Sequence, residues 1–234
     1  AAGVRGKPNV DWCETHQLET ALGNTVLPIQ IAAACQERGV YLLHLGTGCI
    51  FYGPSPHPGG WREDDFANPV AVYSKTKYAA DLALSTLPNV GIVRFRMPID
   101  HVPAPHNLID KLVKYPKLID VENSATIVED LIHVCRQLLE KRAPGIFHAT
   151  NPGSIKHREI MALYQELVDP KHANEWITEA DLVKQGLAVK KRSNNIMASN
   201  RLEALGISMR PMKAALRETM EKYAAAIAAK PSSH

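Results

Sequence analysis

Tyr73 and Lys77 stand four residues apart in Tyr73-Ser74-Lys75-Thr76-Lys77, and Thr47 precedes them in Gly46-Thr47-Gly48-Cys49. On a helix, residues four apart share one face, a turn from each other. An ammonium about 4 Å from a phenol is worth up to ~4 kcal/mol at an effective dielectric of ~20, or about three pKa units. That would bring a tyrosine from ~10 toward ~7, where it exchanges protons at neutral pH. A threonine hydroxyl beside it could hydrogen-bond the same substrate oxygen. The set suits protonation of a carbonyl oxygen as a hydride arrives at its carbon.

Such a site needs a scaffold that brings Thr47 to the helix carrying Tyr73. Val40 to Leu45, Val90 to Phe95 and Gly145 to Ala149 are short apolar runs rich in β-branched and aromatic residues, and read as buried strands. Helical periodicity runs from Glu19 to Glu37, Val72 to Leu87 and Ile127 to Leu139. Strands alternating with such helices form a parallel sheet, because parallel neighbours need a long return connection. The expected class is α/β, and in open α/β sheets ligands bind at the carboxyl ends of the strands. Thr47 directly follows the first strand. The Pro/Gly-rich stretch from Tyr52 to Asn68 fits no helix or strand, and a loop of that length is usually functional.

After Asn151-Pro152-Gly153 the pattern turns helical, over Ser154 to Val168, Thr178 to Leu187, Ser199 to Leu205 and Lys213 to Lys230. Asn107 to Tyr115 and Leu118 to Val121 interrupt the alternation earlier. These two regions read as a smaller lobe over one edge of the sheet. The expected division is a sheet domain at 1–105, which the resemblance given below makes a partial Rossmann NAD(P)-binding domain, a lobe insertion at 106–122, a return to the sheet at 123–152 and the lobe proper at 153–234.

Composition excludes several classes. The chain has 234 residues, 45% hydrophobic and 22% charged, enough for a real core and unlike a disordered chain or a disulfide mini-protein. Net charge is +3, but the 27 basic residues are scattered among 24 acidic ones, so no nucleic-acid partner is called for. Cys13, Cys35, Cys49 and Cys135 lack metal-binding spacing and read as reduced thiols, with no metal expected. There is no secretory leader and no apolar run of spanning length, so neither membrane nor export is expected, and a cytoplasmic location is.

Thr47, Tyr73 and Lys77 in this order resemble the extended short-chain dehydrogenase/reductases. The strings AAGVRGKPNVDWCE, GTGCIFYG, YSKTK, RFRMPI, ATNPGSIKH and RSNN resemble one branch more closely. That branch comprises the nucleotide-sugar 4-keto-6-deoxyhexose (dTDP-4-dehydrorhamnose) reductases and the bifunctional epimerase/reductases of activated rhamnose synthesis. The resemblance runs from Ala1 to about Tyr223. It implies a Rossmann domain with a C-terminal substrate lobe, a nucleotide-diphosphate sugar substrate, and NADP(H) in preference to NAD(H).

By position, the resemblance makes Tyr73 the general acid toward the C4 oxygen. Lys77 would lower the Tyr73 pKa and hold the nicotinamide ribose, and Thr47 would hydrogen-bond the C4 oxygen. Ala2 and Gly3 would line the cofactor ribose, and Met97, Pro98 and Ile99 the nicotinamide. Cys49 and Lys111 match the acid/base pair for inversion at C3 and C5. The C4 ketone acidifies the neighbouring C–H bonds, and inversion needs a base on one face and a proton donor on the other. Asn107 and Asn195 would contact substrate, and Arg192 would grip the diphosphate with its fork. A homodimer is a candidate assembly.

The family's opening strand, Gly-x-x-Gly-x-x-Gly turn and helix have no counterpart in the sequence. Gly3-Val4-Arg5-Gly6 does not replace them, because it does not open a helix. Ala1 aligns with the end of the fourth Rossmann strand, so three parallel strands are expected where the family has seven, and a longer polypeptide is expected to carry the rest. Pro28, where the family tolerates Gly, should kink or split its helix. The Phe51–Tyr73 loop is shorter than in plant-type enzymes, which leaves the sugar and nucleotide open. Two other readings stand beside the reductase. One is a non-catalytic dinucleotide-binding regulatory subunit, against which the intact Thr47, Tyr73 and Lys77 set speaks. The other is a sugar-nucleotide epimerase or dehydratase, and dehydratases carry an acidic pair where Gly48 and Cys49 stand.

Overall fold

Val90 to Arg94 is buried at every residue, which only a strand flanked on both edges and covered on both faces achieves. The computed structural model, which describes residues 3–7 and 9–229, places it at the centre of a parallel sheet. This strand, β2 (Val90–Arg94), lies between β1 (Leu42–Leu45) and β7 (Gly145–His148), with Val93 opposite both Leu45 and Phe147. Side chains alternate between faces, as the two-residue repeat of a strand requires. Val90 and Ile92 pack with Ala32 and Leu84 of helices α2 (Leu27–Glu37) and α3 (Val72–Leu84). Val93 packs on the opposite side, with Leu131, Val134 and Leu138 of α5 (Val128–Lys141) and with Leu202 of α8 (Asn200–Ala204). The three strands and their parallel sense are those read from the sequence.

The interruption expected at Pro28 takes the form of a widened turn. Helix α1 (Gln17–Ala21) passes into a π-helical turn, Leu22–Val26, and then into α2, with Leu27 N–H bonded to the Leu22 carbonyl. Pro28 then sits in the first turn of α2, where a missing N–H is tolerated. A short 3-10 helix, Val10–Glu14, precedes α1.

A second core gathers elements far apart in sequence. Strand β3 (Pro98–Ile99) pairs with β6 (Thr126–Ile127), β4 (Lys117–Ile119) with β9 (Glu175–Ile177), and β5 (Glu122–Asn123) with β8 (Ile155–Lys156). Around them pack α4 (Leu108–Lys114), α6 (His157–Leu167) and α9 (Met212–Ala228), burying Ile109, Leu112, Ile160, Leu216 and Met220 together. The α6 segment is amphipathic in sequence and starts three residues later than expected, since Ile155 and Lys156 form β8 first. Helix α7 (Glu179–Lys184) begins with a capping box between Thr178 and Asp181. No helix among the described residues is long and apolar enough to cross a membrane.

Candidate active site

The site forms where β1 ends. Gly46 N–H bonds the Val93 carbonyl and Gly48 N–H the Phe95 carbonyl, so the chain beyond β1 stays attached to the neighbouring strand. Thr47 is 5% exposed, and its Oγ1 accepts Cys49 N–H at 3.1 Å, closing a tight turn. A Cβ on Gly48 would overlap the Met197 sulfur, so the turn has room only for glycine there.

Helix α3 is joined to this turn through its first residues. Ser74 Oγ donates to the Cys49 carbonyl at 2.6 Å and lies 3.0 Å from the Tyr52 hydroxyl. Glu14 Oε1 accepts Val72 N–H at 2.8 Å, satisfying one free donor of the helix start. Tyr73 is thereby fixed between two anchored neighbours, at the turn that carries Thr47 and Cys49. Burial holds the Tyr73 pKa above the ordinary phenol value; Cys49 and Cys13 act in the same direction, and the Thr47 hydroxyl and the Arg5 charge oppose it.

This corrects one expectation. Lys77 Nζ donates to the Leu45 carbonyl at 2.9 Å and sits 3.3 Å from His44 Nε2, so its ammonium is engaged with β1. The groups that shift Tyr73 do not include it, and the phenol is raised rather than lowered. Burial lowers the Lys77 pKa, with Asp81 pulling it back up. His44 is pushed down to about 4, by burial first and then by Lys77. It is therefore neutral and can accept through Nε2.

Cys49 lies in the Thr47 turn, partly buried. Lys111 is on α4, half-buried, its pKa lowered by burial and by the charge of Arg5. Arg5 is exposed, and its charge bears on both Tyr73 and Lys111. Met97 follows β2 with a φ of 44°, an uncommon conformation for a side chain of its size. Pro98 and Ile99 pair with β6. Gly3 is exposed beside Val4, whose N–H and carbonyl are both bonded by the side chain of Asn24. Ala2 lies outside the described residues.

Three residues expected at the substrate have their polar atoms engaged by the chain itself. Asn107 is the N-cap of α4; its Oδ1 accepts from Ile109 and Asp100 N–H, and its Nδ2 donates to the Asp100 and Val102 carbonyls. All of its ordinary valences are filled, so its place is structural. Arg192 grips Asp11 with both arms of its fork at 2.9 Å. Asn195 Nδ2 donates to the Gly48 and Phe51 carbonyls, bracing the Thr47 turn, while its buried Oδ1 has no hydrogen-bond partner among the described residues. Arg96 lies alongside, 3% exposed, with Nη2 on Asn123 Oδ1 and the Ser193 carbonyl at 2.6 Å and with Nε lacking a hydrogen-bond partner among the described residues.

The residues fit the reactive end of a nicotinamide cofactor. Lys77 has three N–H donors, of which two are directed at β1, and Thr47 and Met97 lie just beyond the ends of the adjacent strands β1 and β2. The pyrophosphate end is not matched among the described residues, where the glycines of the first segment lead into a 3-10 helix. A cavity of about 460 Å³ lies in the second lobe, lined by Asp120, Arg158, Trp176 and Glu179. Glu179 accepts from Asn194 Nδ2 at 2.7 Å, two residues from Arg192.

The sequence reading did not single out Asp11, Glu14, Ser74 or Arg96. The helix start before Tyr73 was a usable sign that some acceptor must cap it, but nothing in the spacing pointed to Glu14.

Residues 8–225 match the family model described as RmlD substrate binding domain. A bifunctional dTDP-4-dehydrorhamnose 3,5-epimerase/dTDP-4-dehydrorhamnose reductase of Arabidopsis thaliana is 37% identical over 209 residues, covering 87% of this chain and 69% of that protein. A trifunctional UDP-glucose 4,6-dehydratase/UDP-4-keto-6-deoxy-D-glucose 3,5-epimerase/UDP-4-keto-L-rhamnose-reductase of the same plant is 35% identical over 96% of this chain, which spans 34% of its length. The solved L780 UDP-rhamnose synthase of Acanthamoeba polyphaga mimivirus superposes with a TM-score of 0.87 at 28% identity, covering 94% of this chain and 80% of that one.

Proposed function

We propose, from the premise that this chain belongs to the RmlD substrate binding domain family, that it carries the catalytic and sugar-binding parts of an NAD(P)H-dependent reductase. The substrate is a nucleotide-diphosphate 4-keto-6-deoxyhexose, with UDP or dTDP as the nucleotide and NADPH as the preferred donor, and the same site epimerises C3 and C5. The observation that carries this reading is the convergence of Thr47, Cys49 and Tyr73 at the end of β1, where Ser74, next to Tyr73, bonds the Cys49 carbonyl and the Thr47 hydroxyl accepts the Cys49 N–H.

A phenol raised by burial is fully protonated at neutral pH, the state a general acid must start from. Thr47 aims it, and Tyr73 gives its proton to the C4 oxygen as negative charge develops there. The bound nicotinamide supplies the hydride that reduces C4. Lys77, fixed on Leu45 and His44, keeps one N–H for a ribose hydroxyl. For epimerisation, Cys49 and Lys111 serve as the acid/base pair. Lysine with a lowered pKa exchanges protons closer to neutrality than an exposed one.

Arg192 receives the diphosphate by exchanging Asp11 for it. Asn107 is left out of the substrate contacts, because its side chain holds the start of α4. The second lobe, with its core around Ile109, Ile160 and Leu216, serves as the sugar-nucleotide lobe.

The test uses the natural full-length protein with NADPH and either UDP- or dTDP-4-keto-6-deoxyglucose, with products followed by NMR. The expected result is NADPH consumption and a rhamnose-configured product. Cys49→Ala should stop epimerisation yet still reduce substrate that is already epimerised. No turnover with either nucleotide, together with stable co-purification with another enzyme, would replace this reading by the regulatory-subunit one.

A further inference from the structure

Two buried side chains of α3 converge on consecutive residues at the end of β1. Lys77 Nζ donates to the Leu45 carbonyl at 2.9 Å. Asp81, one turn along the helix and fully buried, points Oδ1 to within 3.3 Å of where a Cβ on Gly46 would stand. Thr47 is the next residue. Asp81 Oδ2 accepts from Arg94 Nε at 2.8 Å, whereas Oδ1 is buried with no hydrogen-bond partner among the described residues.

A pair present only for stability would leave no carboxylate oxygen bare, since an unsatisfied buried acceptor is costly and a buried ion pair is weak support for a fold. Because Lys77 and Asp81 stand four apart on α3 and reach consecutive residues at the end of β1, the bare oxygen lies beside the stretch that holds the Lys77 ammonium. The other carboxyl near Arg94, Glu63, has its Oε1 occupied by the His148 and Arg201 N–H groups, and the remaining neighbours carry no negative charge. His44 on β1 is neutral, Arg94 on β2 is a cation, and His148 on β7, pushed down to about 3 by burial and Arg94, is neutral as well. Burial pushes the Asp81 carboxyl up, and Arg94 and Lys77 pull it back toward the ionised form.

We propose that the Asp81–Arg94 pair is a positioning device for the reaction: Asp81 is the counter-charge that holds the Lys77 ammonium, charged and aimed, beneath the end of β1. Arg94 fixes Oδ2 and keeps the carboxylate ionised, leaving Oδ1 to act on Lys77. The inference rests on the reading of Lys77 as a catalytic group. It gives Asp81 a part in the chemistry although it need touch neither sugar nor cofactor.

In the natural full-length enzyme, Asp81→Asn should move the alkaline limb of the kcat/KM profile down by about one pH unit or more, because an ammonium without its counter-charge gives up its proton earlier. The neutral-pH plateau should change only a few-fold. Asp81→Asn leaves Arg94 charged in the core, so Asp81→Asn/Arg94→Met, which removes both charges together, is measured beside it and should show the same shift. NMR titration of lysine-labelled protein should place the Lys77 Nζ transition lower by a matching amount. A folded variant whose alkaline limb and Lys77 titration both stay in place overturns the proposal. A Lys77 titration that moves while the rate profile does not would leave the Asp81–Lys77 pairing intact and overturn the catalytic reading of Lys77.

Discussion

At the end of β1, Lys77 is 6% exposed and bonded to the Leu45 carbonyl and His44 across 32 and 33 residues of sequence. At the far side of the site, Arg192 is about a quarter exposed and forks onto Asp11, 181 residues away. Both are cations assigned to the proposed site, but they are held differently. Lys77 is enclosed by backbone, a neutral histidine and the buried Asp81, none of which a substrate can displace. Arg192 is held by one carboxylate, about a fifth exposed, which in the proposed mechanism a diphosphate replaces. Under the proposed mechanism, the contrast separates a charge held through the reaction from one that changes partner when substrate binds.

Breaking the enclosed cation should cost most. Lys77→Met is expected to lower kcat/KM by about a thousandfold or more, on the scale of a general acid that has lost its support. A tenfold effect would place Lys77 outside the chemistry. Steady-state rates at saturating NADPH decide between the two.

Arg192→Ala should act on binding, with KM for the sugar nucleotide rising about ten- to a hundredfold and kcat nearly unchanged, as loss of a charge-assisted fork implies. A fall in kcat with KM unchanged would move Arg192 into the chemistry. The smallest effect belongs to its partner. A partly exposed ion pair is worth at most ~1 kcal/mol, so Asp11→Asn should tighten substrate binding by no more than about fivefold. If it weakens binding instead, Asp11 orients Arg192 and does not compete for it.

The enclosed side also carries a pH signature. His44 and His148 are neutral in the fold, at about 4 and about 3 against 6.5 in the open chain. The unfolded chain therefore binds more protons below pH 6.5. Their contribution is complete above 6.5 and is lost as pH falls through the folded values, by roughly 3 kcal/mol for His44. Urea unfolding between pH 7 and 4 should show stability dropping through this window, and His44→Gln should flatten the drop. An equal slope in the variant would mean that His44 is not held neutral.

What the sequence revealed follows the same division. The three strands, the α3 helix and the Thr47–Tyr73–Lys77 order were readable because strand and helix repeats are local and each element spans at least one full repeat. Strands β3, β5, β6, β8 and β9, two or three residues each, are too short for alternation to register and owe their pairing to the lobe's core. The N-cap role of Asn107 was legible as well, since an Asn before an apolar helical run is itself an N-cap signature, but the family resemblance drew it toward the substrate. The Arg192–Asp11 and Asp81–Arg94 pairs were invisible for another reason. Charge complementarity across 181 residues, or between a helix and the next strand, leaves no spacing to count. The Tyr73 pKa went the wrong way because the four-residue spacing fixes a shared face and not where a long lysine side chain ends.

The central claim is that Tyr73 delivers the proton at C4. It is tested most directly by single-turnover hydride transfer from 4-deuterated NADPH to a pre-epimerised 4-keto-6-deoxyhexose nucleotide, in wild-type and Tyr73→Phe full-length protein. Tyr73→Phe should bind the sugar nucleotide normally and transfer deuterium to C4 at least a hundredfold more slowly. Transfer at the wild-type rate would contradict the assignment of Tyr73 as the acid.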